Sequence, residues 1–137
     1  MTRDELFRKG VELFNDRNYH EGHEFWEDLW RDEPHPDRLF HQGLIQLCAG
    51  LLHLEWGHPR GARNHYTRAT DKLRRFPEVH EGILLGDLLR QIDAIFDEHT
   101  WAGRSGRRLE AGEAPRILWA SPAEAPIPDP GTGRDPG

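Results

Sequence analysis

Cysteine is almost missing from this chain of 137 residues, which holds one, Cys48. A disulfide framework is thereby excluded. A chain this long buries enough surface to need neither a disulfide nor a structural metal. Cys48 lies in the apolar run Leu44 to Leu52 and reads as a small buried hydrophobe in a reducing compartment, not as a catalytic thiol. No apolar stretch approaches the ~20 residues needed to cross a bilayer, so no membrane association is expected. Met1–Leu6 lacks the apolar run of a signal peptide, and a cytoplasmic setting follows as the expectation. An obvious nucleophile is also missing, which leans the reading away from an enzyme. Proline is sparse over the first 100 residues, and 6 of the 10 prolines and 6 of the 14 glycines fall in residues 101–137.

What is present is charge, unevenly placed. The net charge is -6, yet residues 59–76 carry 6 basic and 1 acidic side chains, against 6 and 12 in residues 1–58 and 6 and 11 in residues 77–137. One basic segment thus sits between two acidic regions. Intramolecular charge matching explains this better than a nucleic-acid footprint, which usually comes with a basic domain overall.

Periodicity predicts five helices. The first covers about Arg3–Asn15, with Leu6, Phe7, Gly10, Val11, Leu13 and Phe14 at helical spacing and Thr2 with Glu5 as a capping box. The second covers about Tyr19–Asp32, stopped by Pro34 and Pro36. The third, from near Asp37 to about Trp56, is apolar nearly all round, the pattern of a central helix, and its Gly43 and Gly50 imply close approach of a neighbour. The fourth runs from about Pro59 to Arg75 and buries a narrow stripe of Ala62, Tyr66, Ala69 and Leu73. The fifth begins between Gly82 and Asp87 and ends near His99.

A displacement of 40 residues pairs Gly10 with Gly50, Gly22 with Ala62 and Trp26 with Tyr66. The expected fold is therefore all-α, a compact bundle of two tetratricopeptide-like hairpins and a closing helix. Residues 1–100 form the helical domain in this reading. Residues 101–137 form a Pro/Gly-rich tail, docked at 115–119 through Pro115-Arg116-Ile117-Leu118-Trp119 and disordered over Ser121–Gly137.

The candidate chemistry lies on the second and third helices. His23, Glu27 and Trp30 fall at i, i+4 and i+7 and share one stripe. Gln42, Gln46 and His53 recur at helical spacing on the third helix, where buried polar groups need partners. If the two helices pack together, these six residues form a small polar ligand site. A histidine and a carboxylate one turn apart can hold a divalent metal, but two ligands are too few for a closed site. The zinc-protease pattern is excluded, because the position four after His23 is Glu27 rather than histidine. The alternative is a hydrogen-bonded His23–Glu27 pair that fixes helix register.

These residues carry a family resemblance. Leu13-Phe14-Asn15, Tyr19, His23-Glu24, Glu27, Trp30, Gln42-Gly43-Leu44-Ile45-Gln46, Gly57 and Gly61-Ala62 resemble the DUF309 family of bacterial and archaeal proteins of unknown function, over roughly residues 5–75. That family is marked by a His-x-x-x-Glu-x-x-Trp/Tyr motif associated with metal binding, which His23, Glu27 and Trp30 fit. The resemblance implies a small helical bundle and supplies no activity. The leading expectation is a binding or interaction protein that engages a protein partner or a second copy of itself. A metal-dependent enzyme or metal-binding protein using His23 and Glu27 is the rival, with a divalent metal as cofactor. Nucleic-acid binding through the basic fourth helix comes third.

Overall fold

The computed structural model describes residues 1–32, 37–100 and 107–121. The helix stop at Pro34 and Pro36 and, beyond Ser121, the expected disorder of the tail lie outside the described residues. Among the described residues five α-helices form: α1 Arg3–Asn15, α2 Tyr19–Asp32, α3 Arg38–Glu55, α4 Pro59–Leu73 and α5 Leu85–Thr100. None of them is long and apolar enough to cross a membrane.

Local chemistry sets the ends. Thr2 Oγ1 accepts from the Glu5 N–H at 3.1 Å and Glu5 Oε1 accepts from the Thr2 N–H at 2.7 Å, so the capping box of α1 is complete. Pro59 opens α4, where its missing N–H costs nothing, and Gly57, at φ 75°, makes the turn before it.

The helices pack in succession, α1 on α2, α2 on α3, α3 on α4 and α4 on α5. Leu44, Leu47, Cys48, Leu51 and Leu54 of α3 are fully or almost fully buried, as a central helix requires. Its glycines do admit neighbours: a Cβ on Gly43 would meet the Leu73 side chain at 2.8 Å, and one on Gly50 would meet the Phe96 ring at 3.1 Å. Gly10 does the same for α2, receiving the buried Trp26 indole, whose Nε1 donates to the Phe7 carbonyl at 3.3 Å.

One element has no counterpart in the sequence reading. Between α4 and α5 a hairpin pairs β1, Val79–His80, with β2, Ile83–Leu84, in the register Val79 to Leu84 and His80 to Ile83. Its two-residue turn, Glu81 and Gly82, has φ of 52° and 80°. Both are left-handed, matching the twist of a tight hairpin.

Residues 107–121 lie against the bundle. Leu109 and Ile117 join the hydrophobic core, and Trp119 bridges to Ile83 at the hairpin edge. Two side-chain amides grip the segment: Asn15 bonds the Ile117 N–H and C=O at 2.7 and 2.9 Å, and Gln91 bonds those of Arg116, both at 2.9 Å.

Candidate functional site

On α2, the i, i+4 spacing brings His23 Nε2 to 3.4 Å from Glu27 Oε2. The other ring nitrogen, Nδ1, donates to the His20 carbonyl at 3.1 Å. A carbonyl can only accept, so Nδ1 carries a proton. Nε2 then offers either a second proton to Glu27 or a lone pair to a ligand. One turn away His20 faces Glu24 at 3.5 Å, and the two imidazoles stack with centroids 6.0 Å apart.

Trp30 lies beneath a cation. The Arg38 guanidinium stands 4.2 Å over its ring and donates to the Trp30 carbonyl at 3.3 Å, which ties the end of α2 to the start of α3. Trp30 Nε1 is buried without a hydrogen-bond partner among the described residues.

The polar residues of α3 take their contacts from α4. Gln46 Oε1 accepts from Lys72 Nζ at 2.9 Å. His53 occupies the space left by the absent side chain of Gly61 and stacks on His65, with centroids 5.1 Å apart. His53 Nδ1 and His65 Nδ1 are both buried and without a hydrogen-bond partner among the described residues. Burial first, then the nearby His53 and Arg68, hold His65 below the usual imidazole range. Gln42 is half-buried on the same side of α3. The structure thus joins His23 with Glu27, sets Trp30 against Arg38, and turns Gln46 and His53 to α4.

Cys48 is fully buried, and burial pushes its thiol well above the ordinary range. It stays protonated and packs as a hydrophobe.

Part of the basic charge of residues 59–76 is matched within the fold at the end of α4. Arg74 grips Asp93 at 2.6 and 3.2 Å, Tyr66 donates to the same carboxylate at 2.7 Å, and Arg75 pairs with Asp71 at 3.2 Å. Burial raises the Asp93 pKa, but Arg74 and Tyr66 outweigh it and the net direction is down.

A second polar cluster escaped the sequence reading. Arg3 at the start of α1, Asp37 before α3, and His80 and Glu81 of the hairpin converge. Arg3 donates to Glu81 at 3.2 and 2.9 Å and to Asp37 at 3.4 Å, while His80 Nε2 lies 2.9 Å from Asp37 Oδ1. Asp37 occupies the N-cap position of α3 without capping it. Its carboxylate is engaged in the cluster instead. A hydrogen bond shared with Glu81, then His80 and Arg3, holds Asp37 below the ordinary carboxylate range. The signal in the sequence was faint, an aspartate just ahead of a helix and a His-Glu-Gly triplet.

Set against known proteins, the part of the chain that carries the α2 and α3 residues is the part that matches. Residues 7–65 match the family model DUF309, a domain of unknown function. The DUF309 match runs from α1 into α4 and contains His23, Glu27, Trp30, Gln42, Gln46 and His53, whereas His80, Glu81, α5 and the segment 107–121 lie beyond it. No curated protein matches the chain.

Proposed function

We propose that this chain is a non-enzymatic interaction protein and that its partner across the outer face of α3 is a second copy of itself. The observation that carries this reading is an asymmetry of burial on α3. Leu44, Leu47 and Leu51 are fully buried, whereas Ile45, Ala49, Leu52 and His53 are only partly covered and Trp56, at the end of the stripe, is 51% exposed. Apolar groups left half-covered along one helix face gain free energy when a partner removes them from water.

Charge selects the partner. The α2 helix on one flank of the stripe carries Glu21, Glu24, Glu27 and Asp28, and α4 on the other carries Arg60, Arg68 and Lys72, whereas Arg63 reaches Thr100 of α5. A two-fold axis running along α3 lays the acidic edge of one copy against the basic edge of the other, a self-complementary contact. A helix of this length spans about 27 Å, and with one flanking helix on each side the strip offers on the order of 500 Å² per copy. That is the low end for stable association, so a dimer dissociating in the micromolar range is expected. Sedimentation equilibrium of the full chain tests it: dimerisation that weakens in 0.5 M salt and is lost on Leu52→Glu is expected. A strictly monomeric chain throughout the micromolar range removes the proposal.

A second reading is favoured by the His20 carbonyl, which fixes the His23 ring in the tautomer that leaves Nε2 free for a metal. Glu27, with His20 and Glu24 one turn away, supplies the further donors. Titration of the chain with Zn²⁺, and loss of that binding on His23→Ala, is the outcome this reading requires. Uptake unaffected by His23→Ala excludes it.

A further inference from the structure

We infer that Asp37, His80 and Glu81 form a site for one divalent first-row metal ion, with Arg3 as the cation that the ion displaces. Among the described residues these are the one trio of histidine, cysteine or carboxylate side chains whose ligand atoms all lie within 4.8 Å of one another. The site is separate from the α2 stripe and does not depend on the proposed dimer.

The geometry is close to that of a ligand shell. Two donors each about 2.1 Å from an ion and 90–109° apart are roughly 3.0–3.4 Å from each other. Asp37 Oδ1 and His80 Nε2 lie 2.9 Å apart, so a movement of a few tenths of an ångström opens the gap to the required value. The imidazole is already oriented, wedged between Phe40 and Phe76 with ring centroids 4.7 and 4.8 Å away. An imidazole fixed in this way loses little freedom on coordinating.

Electrostatics supplies the demand for a cation. The Asp37 and Glu81 side chains are only 20% and 15% exposed, so both carboxylates are largely withdrawn from water, and the guanidinium of Arg3 contacts both. Arg3 itself is 37% exposed and belongs to the first turn of α1, where it can swing into solvent without disturbing the core. A compact divalent ion bonded to two carboxylates and one imidazole, with water in its remaining positions, suits Mn²⁺ or Zn²⁺. Bound there, it joins the starts of α1 and α3 to the hairpin through one centre.

The full chain, stripped with a chelator, is titrated with Mn²⁺ and with Zn²⁺ by calorimetry, and its melting is followed by circular dichroism. One ion bound per His23→Ala chain, whose α2 stripe lacks its imidazole, and a raised melting temperature are expected. Arg3→Gln removes the competing cation and tightens binding about tenfold. Glu81→Gln and His80→Ala abolish this binding while the helical spectrum is retained, and His23→Ala leaves it intact. Should His80→Ala fail to fold, the isosteric Glu81→Gln decides alone. The inference is overturned by a His23→Ala chain that takes up neither ion, by uptake in that background that survives Glu81→Gln, or by an affinity in that background that Arg3→Gln leaves unchanged.

Discussion

Replacing Asn15 with alanine severs the side-chain clamp that holds the segment after α5 to the end of α1. Asn15 both donates to the Ile117 carbonyl at 2.9 Å and accepts from its N–H at 2.7 Å, and Ile117 is 1% exposed. Each such bond contributes about 1 kcal/mol net, and backbone groups left without a partner add their desolvation cost, so a loss of ~2–3 kcal/mol is expected. With a urea dependence of roughly 2 kcal/mol per molar, the denaturation midpoint falls by about 1 M. Gln91 makes the matching pair of bonds to Arg116 at an exposed position, where water can take over both groups. Gln91→Ala should therefore cost only about 0.5–1 kcal/mol. Urea melts of the two variants give the comparison, and Asn15→Asp, which keeps the acceptor but not the donor, should fall between wild type and Asn15→Ala. A loss below about 0.5 kcal/mol for Asn15→Ala, or equal losses for the two alanine variants, would falsify the argument that burial of the clamp sets its strength.

Gly10→Ala should destabilise by ~1–3 kcal/mol despite the better helix propensity of alanine, because the new Cβ would overlap the Trp26 indole, and a thermal melt reads the loss. Acid should weaken the fold in two stages. The His65 pKa is lowered on folding, so its contribution is complete above the ordinary imidazole value of 6.5 and is lost as the pH falls through its lowered value, and His65→Asn should flatten that part of the profile. Asp37, also depressed, contributes fully above 3.8, and Glu113, which Arg107 brings down to about 2, contributes fully above 4.5; both lose their contribution as the pH falls further. A stability profile of the wild type that is flat from pH 7 to pH 5 would contradict the first stage.

The helices were legible because each buries a stripe at a 3.6-residue period. Thr2 with Glu5, Gly57 and Pro59 mark ends with chemistry that depends on near neighbours alone. The hairpin at 79–84 was not legible, since two-residue strands are too short to show a period, and Glu81 takes the left-handed turn position where asparagine, aspartate or glycine is the usual signal. The same contrast divides the candidate site. His23 and Glu27 meet because they share a helix. The direction of Gln46 and His53 depends on which helix lies beside that face of α3, which no local pattern encodes. Arg3 and Glu81 are 78 positions apart, and only the packing of α1 against the hairpin unites them.

Whether the basic helix binds nucleic acid turns on how many of its cations remain to be neutralised. Of the six cations in residues 59–76, Arg74 and Arg75 are held by Asp93 and Asp71, Lys72 is bound to Gln46, and Arg63 lies 4.8 Å over the Tyr66 ring. Arg60 and Arg68 stand exposed. Gln46 and the Tyr66 ring are neutral and leave the charges of Lys72 and Arg63 in place beside Arg60 and Arg68, so at most four phosphate contacts are on offer and any affinity for duplex DNA should fall about a hundredfold between 50 and 200 mM salt. Six phosphate contacts would give a fall of more than a thousandfold. The net charge of -6 over the whole chain weakens the contact further. Filter binding or fluorescence anisotropy across that salt range distinguishes the two cases. A steep logarithmic slope near -5 would show that Asp71 and Asp93 surrender their arginines to phosphate, and that the matching of α4 to its acidic neighbours is a resting state of the surface.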